Sequence, residues 1–236
     1  MTRSYGRDRP SQRYIALIEQ YRGLHRDGEP TLNLPPEMVY RGDSLPKYVR
    51  QIRDMIVEHS AQTLLDYGAG KGLQYTGLEL SIPGEGDFSS IPAYWGTPPP
   101  RCYDPAYPPF SDPPEGTFDG VLCTDVLEHC PEDDLDWIIA ELFGHARKFV
   151  FASISCVAAM KTLPNGENAH CTVRPRAWWE QIILAVAPAF PAIHFQFVLE
   201  DNVTGQDGDR APRITPIVGR GAIGERKKSV VLRRVR

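Results

Sequence analysis

The chain has little that would place it in a membrane, in a secretory pathway or among disulfide-stabilised proteins. None of its apolar runs reaches the roughly 18 residues of a transmembrane helix, so no membrane span is expected. The N-terminal MTRSYGRDRPSQRY has no apolar core, so we expect no secretory signal. The five cysteines are an odd number without a CxxC pair, which favours reduced thiols and argues against a zinc ribbon. These absences predict a cytoplasmic protein.

Two common nucleotide-binding motifs are also missing from TLLDYGAGKG, residues 63–72, where glycine recurs at alternate positions. A Walker loop needs Gly-Lys-Ser/Thr with another glycine five residues earlier. Here glycine follows the Gly-Lys pair, and the earlier position is Leu65. The dinucleotide fingerprint GxGxxG fails because Leu73 stands where its third glycine belongs. A nicotinamide oxidoreductase is therefore not expected.

Charge is distributed unevenly along the chain. Residues 61–199 carry 17 acidic against 7 basic side chains, whereas residues 200–236 carry 5 against 9. An acidic body is a poor surface for a polyanion. We interpret the basic C-terminal RKKSVVLRRVR as solvated charge on a terminal strand, with a nucleic-acid site as the alternative. Nucleic acid is not the expected partner.

What the sequence does contain is an alternation of buried strands and helices. Strands are predicted where short apolar runs end in turn residues: TLLDY (63–67), RCYD (101–104, a weaker candidate), FDGVLCT (118–124), KFVFASI (148–154), HFQFVLE (194–200) and KSVVLRRV (228–235). Helices are predicted at 12–26, 46–60, 71–80, 131–146 and 174–187. Residues 81–100 and the Gly/Pro-rich segment before the last strand are predicted as loops.

Strands alternating with helices predict an α/β fold: a Rossmann-like, doubly wound, mostly parallel sheet with an antiparallel C-terminal strand. Residues 1–60 are predicted to form an N-terminal helical cap on a Rossmann-like domain at 61–236. The link from Asp104 to Asp119 is only 15 residues long, too short for a helix, a strand and a second helix. The third strand is therefore predicted to be missing or vestigial.

The glycines that follow TLLDY predict a ligand site. Glycine permits positive φ and lets a ligand approach the backbone closely. A helix that begins there offers free N–H groups and the positive end of its dipole. The turn would lie at the carboxyl edge of the sheet, where α/β proteins bind ligands. The alternative is a tight turn without a ligand, in which Asp66 only caps a helix.

Two segments carry a family resemblance. DYGAGKG resembles motif I of the class I S-adenosylmethionine-dependent methyltransferases, and FDGVLCTDVLEHC is similar to their fourth-strand segment, especially the VLEH form of small-molecule methyltransferases. The resemblance implies that Asp66, Gly68 and Gly70 hold the methionine part of the cofactor. It also implies that an acid ending the second strand, here Asp104, binds the ribose hydroxyls. Asp125 is a further candidate for cofactor contact.

A cluster of carboxylates and histidines follows the same strand. Asp125, Glu128 and His129 lie at i, i+3 and i+4, so a helical turn would place them on one face. With His170 they could hold Mg²⁺, Mn²⁺ or non-haem Fe²⁺. The spacing resembles the ExxEH…H set of small-RNA 3′-terminal 2′-O-methyltransferases and of metal-assisted ubiquinone O-methyltransferases, with aspartate replacing the first glutamate. Without a metal, Asp125 would touch the cofactor, Glu128 would cap or pair, and His129 would pack or act as a base.

The expected activity is S-adenosylmethionine-dependent methyl transfer to a small molecule such as a sugar, a glycolipid precursor or a natural product. O-methylation needs a group that removes a proton, and His129 or His170 suits that role. Tyr14, Tyr21 and His25 on the first helix either cover the site or only pack. One alternative is a metal-dependent RNA 2′-O-methyltransferase. Another is a non-catalytic partner protein that binds the cofactor.

Overall fold

A computed structural model describes residues 5–76, 79–204 and 210–220. The strands among them are Leu64–Tyr67 (β1), Leu80–Ile82 (β2), Gly86–Phe88 (β3), Arg101–Tyr103 (β4), Phe118–Thr124 (β5), Ala146–Ser155 (β6), His194–Thr204 (β7) and Arg210–Arg220 (β8). The α-helices are Gln12–Asp27 (α1), Val49–Glu58 (α2), Ile91–Trp95 (α3), Glu132–His145 (α4) and Arg176–Val186 (α5). No helix in these ranges is both long enough and apolar enough to cross a lipid bilayer.

Within the described ranges the main sheet has six strands, in the order β4-β1-β5-β6-β7-β8. Neighbouring strands from β4 to β7 run parallel, and β8 pairs with β7 in the antiparallel direction. The prediction of a Rossmann-like, mostly parallel α/β sheet with an antiparallel last strand is therefore confirmed. β5 and β6 lie at the centre, and their continuous apolar runs are buried on both faces.

Helices cover both faces of this sheet. On one face α4 and α5 pack against the strands, with Ile138 and Trp179 fully buried. On the other face lie α2 and α3, and Trp95 Nε1 donates a 2.9 Å hydrogen bond to the Val49 carbonyl between them. Each large apolar side chain contributes about 1.5–3 kcal/mol when buried. The two layers therefore fix the positions of the loops at the carboxyl edge.

The two helices of residues 1–60 lie in different places. α2 belongs to a sheet face, whereas α1 lies over the carboxyl edge, where Leu17 and Leu24 pack with Ala106 and Ala169 of the loops after β4 and β6. The N-cap residue Ser11 fastens α1 to α4, because its backbone N–H donates a 3.0 Å hydrogen bond to the Asp134 carboxylate. The domain boundary at residue 60 stays a prediction.

The prediction of a structureless loop at 81–100 is wrong. β2 and β3 form an antiparallel hairpin there, and α3 follows it. Three apolar side chains of α3 are buried against α2: Ile91, Tyr94 and Trp95. A five-residue helix is too short to show a period in the sequence. The buried face of α3 is defined by its packing against α2, which the local sequence does not reveal.

The predicted helix at 71–80 is also wrong. Its described part forms a short 3-10 turn, Leu73–Tyr75, and its end belongs to β2. The partner of β7 was likewise misplaced, because β8 lies within the segment predicted as a Gly/Pro-rich loop. Pro212 and Pro216 lack an N–H, which an edge strand tolerates on its outer side. The predicted strand KSVVLRRV lies outside the described residues.

The third strand is missing from the described residues, as predicted. Between β4 and β5 the chain forms only a 3-10 turn at Pro108–Phe110. The loop closes on itself where Asp104 N donates a 2.9 Å hydrogen bond to Phe110 O. β4 is therefore the edge of the sheet, and the loop after it stands beside the glycine turn.

Candidate functional site

A pocket of about 410 Å³ lies at the carboxyl ends of β1, β4, β5 and β6. Its volume is in the range of small-molecule sites, about 300–1,000 Å³. α1 covers it with the three side chains predicted for that place: Tyr14, Tyr21 and His25. The segment from Tyr40 to Ser44 closes a second side. The site thus lies where ligands bind in open α/β sheets.

The glycine turn after β1 forms one wall of the pocket. Gly68 and Gly70 both line it. Gly70 has a φ of 58°, and a Cβ there would stand 2.6 Å from the Tyr40 carbonyl oxygen, so only glycine fits. The N–H groups of Gly68 and Ala69 donate to Tyr103 O at 2.7 and 3.0 Å, which fastens the turn to β4. Because a 3-10 turn follows, the expected α-helix dipole does not contribute here.

Asp66 lies behind this wall and does not line the pocket. It is 1% exposed, and its Oδ2 atom accepts hydrogen bonds from Gln74 Nε2 at 3.0 Å and Tyr75 OH at 2.8 Å. Burial raises its pKa to about 6 although these two bonds oppose the shift. Gln74 does line the pocket. The geometry therefore gives Asp66 a role in shaping the wall, whereas the expected direct contact with a cofactor is not evident.

Asp104 lines the pocket at the end of β4, where the acid of the second strand was expected. Its Oδ2 atom accepts from Gly70 N and its Oδ1 atom from Ala106 N, both at 2.9 Å. Burial raises its pKa to about 6, against the effect of these backbone hydrogen bonds. Each oxygen has a second lone pair. Asp104 thus holds the glycine turn and keeps acceptor capacity for hydroxyl groups of a ligand.

Asp125 enters the pocket from the end of β5 with an unusual backbone. Its φ is 61°, and its N–H donates to the carbonyl and the Oγ atom of Ser153, both at 3.1 Å. The left-handed conformation costs a non-glycine residue roughly 1–2 kcal/mol, and aspartate tolerates it better than most. Such strain is concentrated at functional sites. Its Oδ2 atom accepts a 2.9 Å hydrogen bond from Ser44 Oγ.

Glu128 is fully buried beside Asp125. Its Oε1 atom accepts a 2.6 Å hydrogen bond from Ser155 N, and among the described residues no donor reaches Oε2. Burial and the charge of Asp125 raise the pKa of Glu128 well above its usual value. For Asp125, burial raises the pKa, but the hydrogen bond with Glu128 and the nearby His129 hold it lower. Two facing carboxyl groups need either a shared proton or a cation between them.

His170 joins these carboxyl groups, but His129 does not. The possible ligand atoms of Asp125, Glu128 and His170 all lie within 4.8 Å of one another. His170 Nδ1 donates to the Val157 carbonyl at 2.6 Å, which leaves its Nε2 lone pair free. The four-ligand set predicted from the sequence is thus reduced to three. The 3-10 turn Leu127–His129 begins only after Asp125, so the expected common helical face is not formed.

His129 lines the pocket. Its Nδ1 atom lies 2.9 Å from Ala169 O and 3.1 Å from Tyr21 OH, and Tyr21 also donates to Ala169 O at 2.7 Å. A carbonyl only accepts, so Nδ1 carries the proton and Nε2 a lone pair. Burial, with a contribution from His170, lowers the pKa of His129 to about 4. Its ring is therefore neutral near pH 7.

The segment from Tyr40 to Ser44 is the part of the site that the sequence did not reveal. Tyr40 has a φ of 54°, and its carbonyl accepts a 3.1 Å hydrogen bond from Lys71 N in the glycine turn. At Gly42, with φ 81°, a Cβ would lie 2.2 Å from Gln74 Oε1. The glycine within YRGDS was a weak signal, since turns often contain one. The segment connects the glycine turn to Asp125.

No protein-family model matches this chain, and no curated protein or solved structure matches it either. What the site can do is therefore inferred from its residues. The pocket combines a glycine-walled half, held by Asp104, with a half that contains the neutral base His129 and the group Asp125, Glu128 and His170. The first half suits a ligand that lies against the backbone, and the second suits proton removal or a divalent cation.

Proposed function

We propose that this protein transfers a methyl group from S-adenosylmethionine to a hydroxyl group of a small molecule. One observation carries this proposal: the glycine turn of Gly68 and Gly70 and the neutral base His129 line the same pocket. The family resemblance of DYGAGKG and VLEH adds to it. The volume of the pocket, about 410 Å³, is in the range of small-molecule sites.

The residues of the first half fit the proposed cofactor. Gln74 Oε1 and the Tyr40 hydroxyl, on two residues that line the pocket, are buried without a hydrogen-bond partner in the described residues. Unpaired buried polar atoms cost about 1–3 kcal/mol each, and an amino group of a ligand could satisfy such acceptors. Asp104 has lone pairs for ribose hydroxyls. When bound, S-adenosylmethionine supplies an electrophilic methyl group.

The residues of the second half fit proton removal from the acceptor. Methyl transfer is an in-line displacement, so orientation and desolvation of the acceptor oxygen matter most. In the proposed reaction the hydroxyl proton moves to Nε2 of His129 as the new carbon–oxygen bond forms. The hydrogen bond from Nδ1 to Ala169 O fixes the ring and its tautomer. The nearby Asp125 stabilises the imidazolium that results.

A metal-assisted form of the same reaction is favoured by a separate observation. Among the described residues, Asp125, Glu128 and His170 form a group whose possible ligand atoms lie within 4.8 Å of one another. The hydrogen bond from His170 Nδ1 to Val157 O is typical of metal-binding imidazoles. A divalent cation there would acidify a bound acceptor hydroxyl. Carboxylate oxygens with one imidazole suit Mg²⁺ or Mn²⁺.

The other two functions stay open as alternatives with their own tests. RNA binding that weakens steeply with salt would favour an RNA 2′-O-methyltransferase. Cofactor affinity without transfer to any acceptor in a broad screen would favour a non-catalytic partner protein.

The five cysteines are free thiols, which supports a cytoplasmic location.

Calorimetric titration with S-adenosylhomocysteine tests the proposal most directly. We expect saturable binding with one site per chain and a rise in melting temperature, because a ligand that binds only the folded state stabilises it. Adenosine alone serves as the control ligand, since it lacks the amino-acid part that the glycine turn should hold. If S-adenosylhomocysteine produces no binding heat and no shift in melting temperature, the proposal is wrong.

A further inference from the structure

Two cations line the pocket without a carboxylate partner among the described residues. The side chains of Arg41 and Lys161 are both partly buried in its wall. Arg41 donates a 3.2 Å hydrogen bond to the Met38 sulfur, and Lys161 Nζ lies 5.5 Å from the centre of the Tyr40 ring. A cation in a pocket wall that has no carboxylate partner can form a charge-assisted hydrogen bond with an anionic ligand.

The carboxylates of the same pocket, by contrast, already have donors. Asp104 accepts from two backbone N–H groups, and Asp125 from Ser44. Glu200 pairs with Lys47 at 3.3 Å. Asp43 lies exposed at the rim. Arg41 and Lys161 are therefore cations of the pocket wall that pair with none of these carboxylates.

The two cations approach the reacting end of the pocket from different segments. Arg41 belongs to the segment that contacts Asp125 through Ser44. Lys161 follows β6, and its charge is close enough to His129 to contribute to the lowering of that pKa. Tyr40 lies between them, next to Arg41 in the chain and under the Lys161 ammonium group. An anionic group bound there would lie in the same pocket as His129.

We propose that Arg41 and Lys161 bind an anionic group of the methyl acceptor, a carboxylate or a phosphate. Arg41 offers a planar set of donors that matches either group, and Lys161 adds a point charge. This inference rests on the proposed methyl transfer, and it narrows the acceptor from small molecules in general to acids. Neutral sugars would then be poor acceptors.

The first test measures anion binding without knowledge of the acceptor. Protein saturated with S-adenosylhomocysteine is titrated with inorganic phosphate, and separately with malonate, at constant ionic strength, while the melting temperature is followed. We expect both anions, or one of them, to stabilise the wild type. Arg41→Gln and Lys161→Gln should each weaken the apparent affinity about tenfold or more, the effect of losing one charge-assisted contact of about 1.4 kcal/mol.

A matched control separates the pocket from the overall charge. Arg26→Gln removes one positive charge from the exposed end of α1, outside the pocket, and should respond to anions as the wild type does. Equal weakening in Arg26→Gln would overturn the proposal, because the effect would then be one of net charge. Phosphate and malonate without effect on the wild type would also overturn it.

The second test identifies the source of the anion. Acceptor candidates are offered in pairs that share one acceptor hydroxyl, a hydroxy acid with its methyl ester and a phosphate monoester that carries a hydroxyl with its neutral methyl ether, and methyl transfer is followed with labelled cofactor. Transfer to the charged member of a pair, lowered about tenfold or more in Arg41→Gln, supports the proposal and identifies its anion. Preference for the neutral members would overturn it.

The cofactor affinity of the same variants distinguishes this inference from the proposed function. We expect Arg41→Gln and Lys161→Gln to bind S-adenosylhomocysteine as the wild type does. A large loss in Arg41→Gln would overturn the inference, because Arg41 would then hold the carboxylate of the cofactor. If the wild type binds no S-adenosylhomocysteine, the methyl-transfer proposal fails, and the anion titrations of unliganded protein still decide the role of the two cations.

Discussion

The Oδ2 atom of Asp104 accepts a 2.9 Å hydrogen bond from the backbone N–H of Gly70. The first residue after β4 thereby holds the glycine turn that follows β1. Both residues were predicted from the sequence to contact one cofactor, and in the structure they contact each other in the wall of one pocket. A substitution in the turn should therefore affect ligand binding more than stability.

Gly70→Ala tests whether the glycine turn is a binding surface. A Cβ at this position would meet the Tyr40 carbonyl at 2.6 Å, so the turn or the segment above it must move. We expect the affinity for S-adenosylhomocysteine, measured by calorimetry, to fall about tenfold or more, which corresponds to about 1.4 kcal/mol.

Gly116→Ala is the matched control for this change. Gly116 also has a positive φ, 73°, but a Cβ there would meet nothing within 4 Å. Both variants carry the backbone cost of roughly 1–2 kcal/mol for a left-handed residue. Only Gly70→Ala alters the pocket. Equal affinity in the two variants would show that the turn does not contact the ligand.

His129→Ala tests the general base. We expect the affinity for S-adenosylmethionine to stay within a few-fold, while kcat falls by roughly 10²–10⁴, the usual contribution of a general base. His145→Ala serves as the control, because His145 is outside the pocket and its Nδ1 atom donates a 2.9 Å hydrogen bond to the Gly116 carbonyl. Full activity of His129→Ala with the native acceptor would leave this histidine a packing role.

The pH profile provides a second measure of His129. Burial lowers its pKa to about 4, so the neutral form that accepts a proton persists well below the usual histidine range. Activity should therefore fall as the pH drops through about 4, instead of near 6.5. Plots of kcat/KM against pH check this. An acidic limb that is the same in His129→Ala as in the wild type would contradict this assignment.

Metal removal tests the group of Asp125, Glu128 and His170. If a divalent cation takes part, EDTA should abolish most of the activity, and Mn²⁺ or Mg²⁺ should restore it. Glu128→Gln should weaken the metal response strongly, since it replaces a negatively charged carboxylate ligand with a neutral amide. Activity that EDTA leaves unchanged would indicate that the two carboxyl groups share a proton.

Asp66 should give the protein a measurable pH dependence of stability. Its folded-state pKa is raised to about 6 from an ordinary value of 3.8, so the folded state holds a proton that the unfolded state releases. Its contribution therefore lowers the free energy of unfolding as pH rises from about 4 to 6, by about 3 kcal/mol at 1.36 kcal/mol per pKa unit. Urea unfolding at several pH values measures this.

Comparison with Asp66→Asn isolates the effect from that of the buried histidines. The pKa values of His25 and His129 are lowered to about 4, so their contributions rise with pH over the same range. In the wild type, the falling contribution of Asp66 partly cancels the rising contribution of the histidines. In Asp66→Asn that cancellation is lost, so the free energy of unfolding should increase more steeply with pH. Parallel curves for wild type and Asp66→Asn would show that the Asp66 carboxyl is not buried as described.

The sequence by itself determined the central sheet. FDGVLCT is a continuous apolar run bounded by turn residues, and β5 has those bounds, Phe118–Thr124. α4 was predicted because its apolar residues recur at helical spacing behind an acidic first turn. Such patterns arise from burial on one or both faces of a regular element, so they are readable without a partner. The absence of a third strand was predicted from the 15-residue link between Asp104 and Asp119, which is too short to contain it.

Elements stabilised by a distant partner could not be predicted in this way. α3 is only five residues long and is stabilised by contact with α2, including the hydrogen bond from Trp95 to Val49. β8 contains Pro212 and Pro216, so its sequence predicts a loop, and its strand conformation depends on pairing with β7. In both, the stabilising contact lies far away in the chain.

The site shows the same division. The glycine turn and the DxxEH part of the carboxylate–histidine cluster were visible in the sequence, because their residues are close together in the chain. The left-handed backbone of Asp125 separates that cluster, so that Asp125, Glu128 and His170 form one group and His129 faces the pocket beside them. Arg41 and Lys161 are distant in the chain, and the fold places both in the lining of one pocket. Side-chain neighbours of this kind depend on how loops cross the sheet edge, and no local pattern encodes them.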